Sequence, residues 1–117
     1  MFNRLKITNS NVQFDLNVNF SKKTEDVELA IYRIAQEATN NALKHAQPSR
    51  INVNLNETSD SIQLTIENDG RSPNQLSNSG HFGIEGMQER AQFLGGELSF
   101  DIPSTGGLIV QLTIAKS

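Results

Sequence analysis

The stretch YRIAQEATNNALKHA, residues 32–46, decides the fold because it combines a helical repeat of apolar residues with a dense set of polar ones. Together with the residues just before it, it places apolar side chains at the spacing of one helix face: Val27, Ile31, Ile34, Ala35, Ala38 and Ala42. Thr24 is suited to cap the N-terminus, and Pro48 cannot continue a helix. The sequence therefore predicts a long helix from Thr24 to about Ala46 that packs on a core.

A polar strip borders this apolar face. Glu37, Asn41 and Lys44 follow at i, i+4 and i+7, which share one side of a helix, and His45 lies beside them. The strip offers a carboxylate, an amide oxygen and cations at the rim of the core, where Mg²⁺ and phosphate oxygens would find partners. A carboxylate there also suits a residue that orients or deprotonates a nucleophile. The alternative is a solvated helix edge with one charge pair, and the strip alone leaves both interpretations open.

Alternating apolar and polar residues predict five strands around this helix. The strands are predicted at 12–20, 51–55, 62–66, 98–102 and 108–114, with a short helix at 84–94. The second and third strands form one predicted hairpin and the last two strands another, because short polar or Gly-rich turns join them. Hairpins that leave one polar face to solvent, with helices sharing the other face, predict an α+β sandwich.

The composition fits one small soluble domain of 117 residues and excludes several kinds of site. No Cys is present, so disulfides, thiolate metal sites and Cys nucleophiles are excluded. A formal net charge of −3, spread along the chain, argues against a nucleic-acid partner. His45 and His81 are far apart without a third ligand, so zinc is not predicted. No apolar run reaches the length of a membrane span, and no signal-peptide pattern is present.

Two glycine-containing segments are candidate binding elements as well as candidate turns. Asn68-Asp69-Gly70 closes a predicted strand, where turn chemistry is the simplest explanation. Gly83 and Gly86 surround the start of the short helix, where backbone N–H groups and the helix dipole favour phosphate. Loop flexibility explains the same glycines without any ligand.

The order and spacing of these motifs carry a specific resemblance. The run YRIAQEATNNALKHA is followed by IENDG at 66–70, by GHFGIEGMQERAQFLGGEL at 80–98, and by two glycines before the last strand. This arrangement resembles the GHKL ATPase superfamily, and more closely the catalytic ATP-binding domain of bacterial sensor histidine kinases of the nitrate-sensor and DesK-like class. The resemblance covers nearly the whole chain. It implies the Bergerat-type ATP-binding fold, a two-layer α/β sandwich with a mixed sheet and helices on one face.

The resemblance also implies roles for the polar strip, with ATP and Mg²⁺ as cofactors. Asn41 corresponds to the Mg²⁺ ligand, and Glu37 to the carboxylate that acts as a base or orients the acceptor. Lys44 and His45 correspond to residues that approach the phosphates, and segment 71–82 corresponds to the ATP lid. The remaining nucleotide-binding positions are Asn68 and Gly70 on the adenine side and Gly83 and Gly86 on the phosphate side.

The adenine side departs from the usual pattern of that family. The family most often has Asp at the position of Asn68, where the carboxylate accepts a hydrogen bond from the adenine amino group, and here Asp69 is the intervening residue. The family also tends to have Thr at the position of Leu108. An amide can accept from adenine or, flipped, pair with guanine. We therefore expect ATP binding with altered recognition of the base.

Residues 1–117 are expected to form a single catalytic domain that is a fragment of a longer kinase. The resemblance implies a homodimeric parent with a phosphoacceptor-His helical domain, because neither His45 nor His81 suits that role, and a response regulator as its partner. The fragment itself is expected to be monomeric, cytoplasmic and without direct membrane contact. Alone it is expected to have no histidine kinase activity. Whether the parent is membrane-bound stays open.

Three functions are compatible with these residues. The first is transfer of the γ-phosphoryl group of ATP to a His on a segment outside this chain. The second is a nucleotide-binding scaffold without turnover, which Asn68 and Leu108 would favour, and the third is a stand-alone Ser kinase of the anti-sigma-factor type in the same superfamily. The pair of Glu37 and Asn41 argues against the second, and the motif spelling argues against the third.

Overall fold

The described part of the chain forms a mixed sheet that helices cover on one face. The computed structural model describes residues 11–72 and 84–116. The strands of that part are β1 (Gln13–Asn19), β2 (Arg50–Glu57), β3 (Ser61–Asn68), β4 (Glu97–Asp101) and β5 (Leu108–Ala115). The helices are α1 (Glu25–Asn41), which continues into a π-helical turn (Ala42–Ala46), and α2 (Ile84–Phe93). The predicted α+β fold with a mixed sheet is confirmed.

The strand order of the sheet is β1-β2-β3-β5-β4. Both predicted hairpins are present, because β2 pairs antiparallel with β3 and β4 pairs antiparallel with β5. Two further pairings lie outside the local sequence pattern: β1 runs parallel to β2, and β5 inserts between β3 and β4. Parallel neighbours need a long crossover, and α1 supplies it between β1 and β2.

The core lies between the sheet and the two helices. The strand register stacks apolar residues in a row on the helix-facing side, where Val53 pairs with Ile66 and Ile66 pairs with Val110. These residues form one buried cluster with the apolar stripe of α1 and with Met87 of α2. Fully burying one such side chain stabilises the fold by about 2 kcal/mol. The next row, on the open face, is polar, as the alternation predicts: Asn54, Thr65 and Gln111.

The end of the long helix differs from the prediction. It begins after Thr24 as expected, with acidic residues in its first turn, but α-helical geometry ends at Asn41. The chain then makes the wider π-helical turn and leaves it at Gln47, whose φ of 50° is left-handed, just before Pro48. A π turn closes i→i+5 hydrogen bonds, so it rotates successive side chains by less than an α turn does. Helical winding thus reaches Ala46, with altered side-chain directions over its last five residues.

Neither α1 with its π turn nor α2, within the described ranges, has both the length and the apolar character that a bilayer crossing requires.

Candidate functional site

A cavity of about 330 Å³ lies where the end of α1 meets the C-terminal end of β3 and the start of β5. Its polar lining consists of Asn41, His45, Asn68, Arg71 and Ser72. Its apolar lining includes Ala38 and Ala42 from the helix and Ile66, Leu108 and Val110 from the sheet. Apolar walls with a few convergent polar groups are typical of a small-molecule site.

Three of the predicted site residues meet at this cavity: Asn41, His45 and Asn68. Lys44 is exposed and Glu37 is half-buried, and both lie outside the lining. The π turn accounts for Lys44, because three residues of the wider turn rotate it farther from Asn41 than an α-helix would. Four residues of either turn return close to the starting direction, so His45 stays beside Asn41.

The three glycines predicted as site residues lie in different places relative to the cavity. Gly70 lies two residues after the end of β3, between the lining residues Asn68 and Arg71, but is itself outside the lining. Gly86 lies in the first turn of α2, where its carbonyl accepts a hydrogen bond from the Arg90 guanidinium at 3.2 Å. Gly86 is outside the lining of the cavity. Gly83, and the predicted lid from residue 73 onward, lie outside the described residues.

Asn68 and Asp69 have different surroundings although they are neighbours. Asn68 lines the cavity, is 8% exposed, and accepts at Oδ1 a hydrogen bond from the Gly70 N–H at 2.8 Å. Asp69 lies outside the lining and accepts from the N–H groups of Ser49 at 2.8 Å and Arg50 at 2.9 Å. The hydroxyl of Ser49 also donates to it and is the main reason why the pKa of Asp69 is lowered. Asp69 therefore anchors the start of β2 to the end of β3, and Asn68 is the residue that faces the cavity.

The backbone segments around the cavity approach each other at positions that only glycine permits. The Arg71 N–H donates to the Ala46 carbonyl oxygen at 2.7 Å, and a Cβ on Gly70 would collide with that same carbonyl. Gly107, with a φ of 85°, lies against the carbonyl oxygen of Asn68, where a Cβ would overlap it. The end of α1, the turn after β3 and the turn before β5 are thus held together at the cavity.

Two contributors to this junction were not predicted as site residues. The sequence pattern assigns Gly107 to a hairpin turn, and its paired glycines are the only signal of a close approach. Ser72 falls in the predicted lid without a role of its own, yet its hydroxyl donates to the Gly107 carbonyl oxygen at 3.0 Å. Neither contact is visible in a local pattern, because its partners are more than thirty residues apart.

Binding of Mg²⁺ at this site would require a bound nucleotide that supplies further oxygen ligands. Residues 11–72 and 84–116 contain no cluster of three or more His, Asp or Glu side chains able to hold an ion. The amide of Asn41 on the cavity wall is an oxygen donor of the kind Mg²⁺ prefers. Because Mg²⁺ keeps several waters and shares phosphate oxygens, one amide oxygen fits this ion only together with a bound nucleotide.

Comparison with known proteins identifies the family. The family described as "Histidine kinase-, DNA gyrase B-, and HSP90-like ATPase" matches residues 26–117. The chain belongs to this ATPase family. Its relatives include the signal transduction histidine-protein kinase/phosphatase DegS of Brevibacillus brevis, 33% identical over 91 residues, and the sensor histidine kinase YxjM of Bacillus subtilis, 35% identical over 89 residues.

This ATPase domain corresponds to only part of those relatives. The alignments cover 77% and 76% of the chain but 24% of DegS and 21% of YxjM. The chain therefore spans less than a quarter of the length of the curated relatives it matches.

Solved structures of histidine kinases share the fold of this ATPase domain. The blue-light activated histidine kinase of Erythrobacter litoralis EL346 gives a TM-score of 0.80 at 24% identity, covering 91% of this chain and 36% of that one. The mycobacterial sensor histidine kinase MprB gives a TM-score of 0.68 at 16% identity, covering 91% of this chain and 83% of that one. The predicted Bergerat-type architecture is therefore confirmed at the level of fold.

Proposed function

We propose that this ATPase domain binds Mg²⁺-ATP in the cavity at the end of α1 and acts as the catalytic domain of a sensor histidine kinase. The acceptor of the γ-phosphoryl group would be a His on a segment outside the chain. The observation that carries this proposal is the convergence of Asn41, His45 and Asn68 on one cavity, since they come from motifs far apart in sequence. The match to DegS and YxjM, both named as histidine kinases, supports the same activity.

The residues of the polar strip have separate proposed roles. Asn41 would hold Mg²⁺, which supplies positive charge against the phosphates, and His45 beside it would donate to a phosphate oxygen. Lys44 is exposed and would reach the phosphates only by extending its long side chain into the cavity mouth. Glu37 lies one turn before Asn41, outside the cavity lining, where it would orient or deprotonate an acceptor that approaches from solvent.

The rest of the nucleotide would be held mainly by backbone and apolar groups. Asn68 and Gly70 would lie on the base side, with Ile66 and Leu108 as apolar walls. Gly86 in the first turn of α2 would contribute to the phosphate side together with Gly83 and the proposed lid over 71–82. Phosphoryl transfer needs little covalent chemistry from a protein, so positioning and charge compensation would provide most of the rate.

The proposed parent is longer than this chain. It would be a homodimer whose helical phosphoacceptor domain supplies the acceptor His and whose response regulator receives the phosphoryl group. The short coverage of DegS and YxjM is consistent with this arrangement.

Calorimetric titration of ATP, with and without Mg²⁺, tests the metal assignment. Wild type should bind ATP more tightly with Mg²⁺, and Asn41→Ala should lose most of that difference, because it removes the proposed protein oxygen. Asn40→Ala is the matched control, since Asn40 is exposed and adjacent on the same helix. An unchanged Mg²⁺ effect in Asn41→Ala would contradict the proposed metal site.

Turnover separates a kinase from a nucleotide-binding scaffold. With the domain joined to phosphoacceptor helices, Glu37→Ala should retain ATP affinity and lose phosphoryl transfer, because a base or orienting group acts mainly in the transition state. Parallel losses of binding and transfer would indicate a structural role for Glu37. Binding without any transfer in wild type would favour the scaffold.

A further inference from the structure

The face of the sheet opposite the helices carries the net charge of the chain. Strand side chains on this open face include one guanidinium and four carboxylates: Arg50, Asp15, Glu67, Glu97 and Asp101. They give the face a net charge of −3, which equals the formal net charge of the whole chain. The rest of the protein is therefore neutral overall, and a cationic partner is attracted to this face.

A groove of about 660 Å³ crosses the open face at the end where β3 finishes. All five strands and the turn between β4 and β5 contribute to its lining. The strand register puts Ile109 between two carboxylates, because Ile109 pairs with Glu67 on one side and with Asp101 on the other. Neighbouring strands lie about 4.8 Å apart, so Glu67 and Asp101 are separated by about 10 Å with an apolar side chain between them.

The charges in the groove are matched on one side and unmatched on the other. Towards β1, the Arg50 guanidinium lies 3.8 Å from the carboxylate of Asp15 and donates to the side-chain oxygen of Gln13 at 3.2 Å. Towards β4, the carboxylates of Glu67 and Asp101 form no hydrogen bond or ion pair within residues 11–72 and 84–116. The groove therefore combines an apolar floor with two free negative groups.

We propose that this groove docks an arginine side chain from a basic segment of a partner protein. The aliphatic stem of the arginine packs on Ile109, as long basic side chains do on apolar surface, while the guanidinium lies between Glu67 and Asp101. A planar guanidinium can donate to two carboxylates at once, whereas an ammonium is a compact point charge. The inference does not depend on the proposed nucleotide site, because the groove opens on the opposite face of the sheet.

Other ligands fit the groove less well. Nucleic acid is disfavoured, because its phosphates would face free carboxylates. A metal ion is disfavoured as well, since the described ranges contain no cluster of three or more His, Asp or Glu side chains able to hold one.

Nuclear magnetic resonance titration of the full 117-residue chain, labelled with ¹⁵N, tests the proposal. The probe is the acetylated and amidated peptide Ala-Ala-Arg-Ala-Ala. Its addition shifts the backbone amide signals of Glu67, Asp101 and Ile109 more than those of the helices. Replacing the arginine of the peptide by lysine raises the dissociation constant about threefold, because one of the two carboxylates loses its partner.

Two variants of this face separate docking in the groove from general attraction to an acidic protein. Asp101→Asn raises the dissociation constant of the arginine peptide about fivefold, the upper range for an exposed ion pair. Glu97→Gln is the matched control, because it removes the same charge from the same face of β4 but lies outside the groove. Its dissociation constant stays within about twofold of wild type. Both side chains are exposed, so both variants are expected to fold.

Three results overturn the inference. One is the absence of any shift at Glu67, Asp101 and Ile109 when the arginine peptide is added. Another is an equal loss of affinity in Asp101→Asn and Glu97→Gln, which indicates general electrostatic attraction. The third is the same pattern of shifts with Mg²⁺ alone, which assigns the groove to a metal ion. ATP binding is unaffected by each of these results, so the proposed function stands or fails separately.

Discussion

The two ends of the β2–β3 pair differ in how their polar side chains are paired. At the end away from the cavity, Glu57 accepts from the N–H and the hydroxyl of Ser21, each at 2.8 Å. It also pairs with the ammonium groups of Lys23 at 2.8 Å and Lys116 at 2.6 Å. These partners, Lys116 first, hold the pKa of Glu57 far below its ordinary value. The carboxylate is fully matched within the chain.

At the cavity end the backbone is closely packed, and one side-chain donor has no partner among the described residues. Gly70 and Gly107 allow three chain segments to touch, and Asn68 keeps a donor without a partner among the described residues. The two ends differ in what holds them together: ion pairs join the chain segments at one end, and close backbone contacts position the cavity-lining residues at the other. A preorganised site requires this kind of rigid support.

The largest expected effect comes from filling the close backbone contact at the cavity end. Gly107→Ala places a Cβ on the Asn68 carbonyl at a φ of 85°, so we expect a loss of about 3 kcal/mol of unfolding free energy from collision and strain together. Gly95→Ala is the control, because Gly95 has a φ of 68° but open space around its Cβ position. It should lose only about 1 kcal/mol. Denaturant unfolding measures both, and equal losses would refute the steric explanation.

The second prediction compares two neighbouring residues at the cavity end, His45 and Lys44. His45 lines the cavity and Lys44 does not, so His45→Ala should weaken ATP binding about tenfold, the loss expected for one hydrogen bond to a charged group. Lys44→Ala should weaken it less than about threefold. Calorimetric titration decides between them. A larger loss for Lys44→Ala would mean that its side chain enters the site when nucleotide binds.

A smaller effect is expected at the far end. Glu57→Gln leaves Lys23 and Lys116 without their shared carboxylate, so the midpoint of thermal unfolding should fall, by less than for Gly107→Ala. Because these ion pairs are partly exposed, the difference from wild type should shrink as salt is raised. Glu67→Gln, on the exposed face of β3, provides the matched control and should change little. A salt-independent loss would point to packing and not to charge.

The pH dependence should follow the same carboxylate. The pKa of Glu57 is lower in the folded protein than its ordinary value of 4.5, so its contribution to stability is complete above that value and is lost as the pH falls through the folded pKa. The stability difference between wild type and Glu57→Gln should be constant near neutral pH and decrease below about pH 4.5. Denaturant unfolding across this range measures it. A difference that grows in acid would contradict the assignment.

Local patterns were sufficient for most of the fold. Period-two alternation located the five strands of the described residues, and turn chemistry identified both hairpins, because these features depend on residues close in sequence. The pattern did not reveal that β5 inserts between β3 and β4 or that β1 pairs with β2 in parallel. Strand order depends on contacts between distant segments, which alternation does not encode.

Local sequence patterns were also insufficient to predict the detailed geometry of the candidate site. Of the residues predicted from the sequence, Asn41, His45 and Asn68 line the cavity, but the assumption of a regular α-helix up to Ala46 placed Lys44 on the same line as Asn41. A π turn has no simple sequence signature. The orientation of the Asn68 amide was likewise undetermined, because it depends on the Gly70 N–H in the folded turn.

The cluster of ion pairs and hydrogen bonds that joins Glu57 to Ser21, Lys23 and Lys116 also affects how the chain folds. It joins the linker after β1, the end of β2 and the residue after β5, so it closes only when nearly the whole chain has come together. Contacts that require such long loops tend to form after the rate-limiting step. Removing these ion pairs, as in Glu57→Gln, should therefore speed unfolding and leave the refolding rate nearly unchanged. The end of the sheet away from the cavity thus adds kinetic stability: it slows unfolding of the native state and does not speed folding.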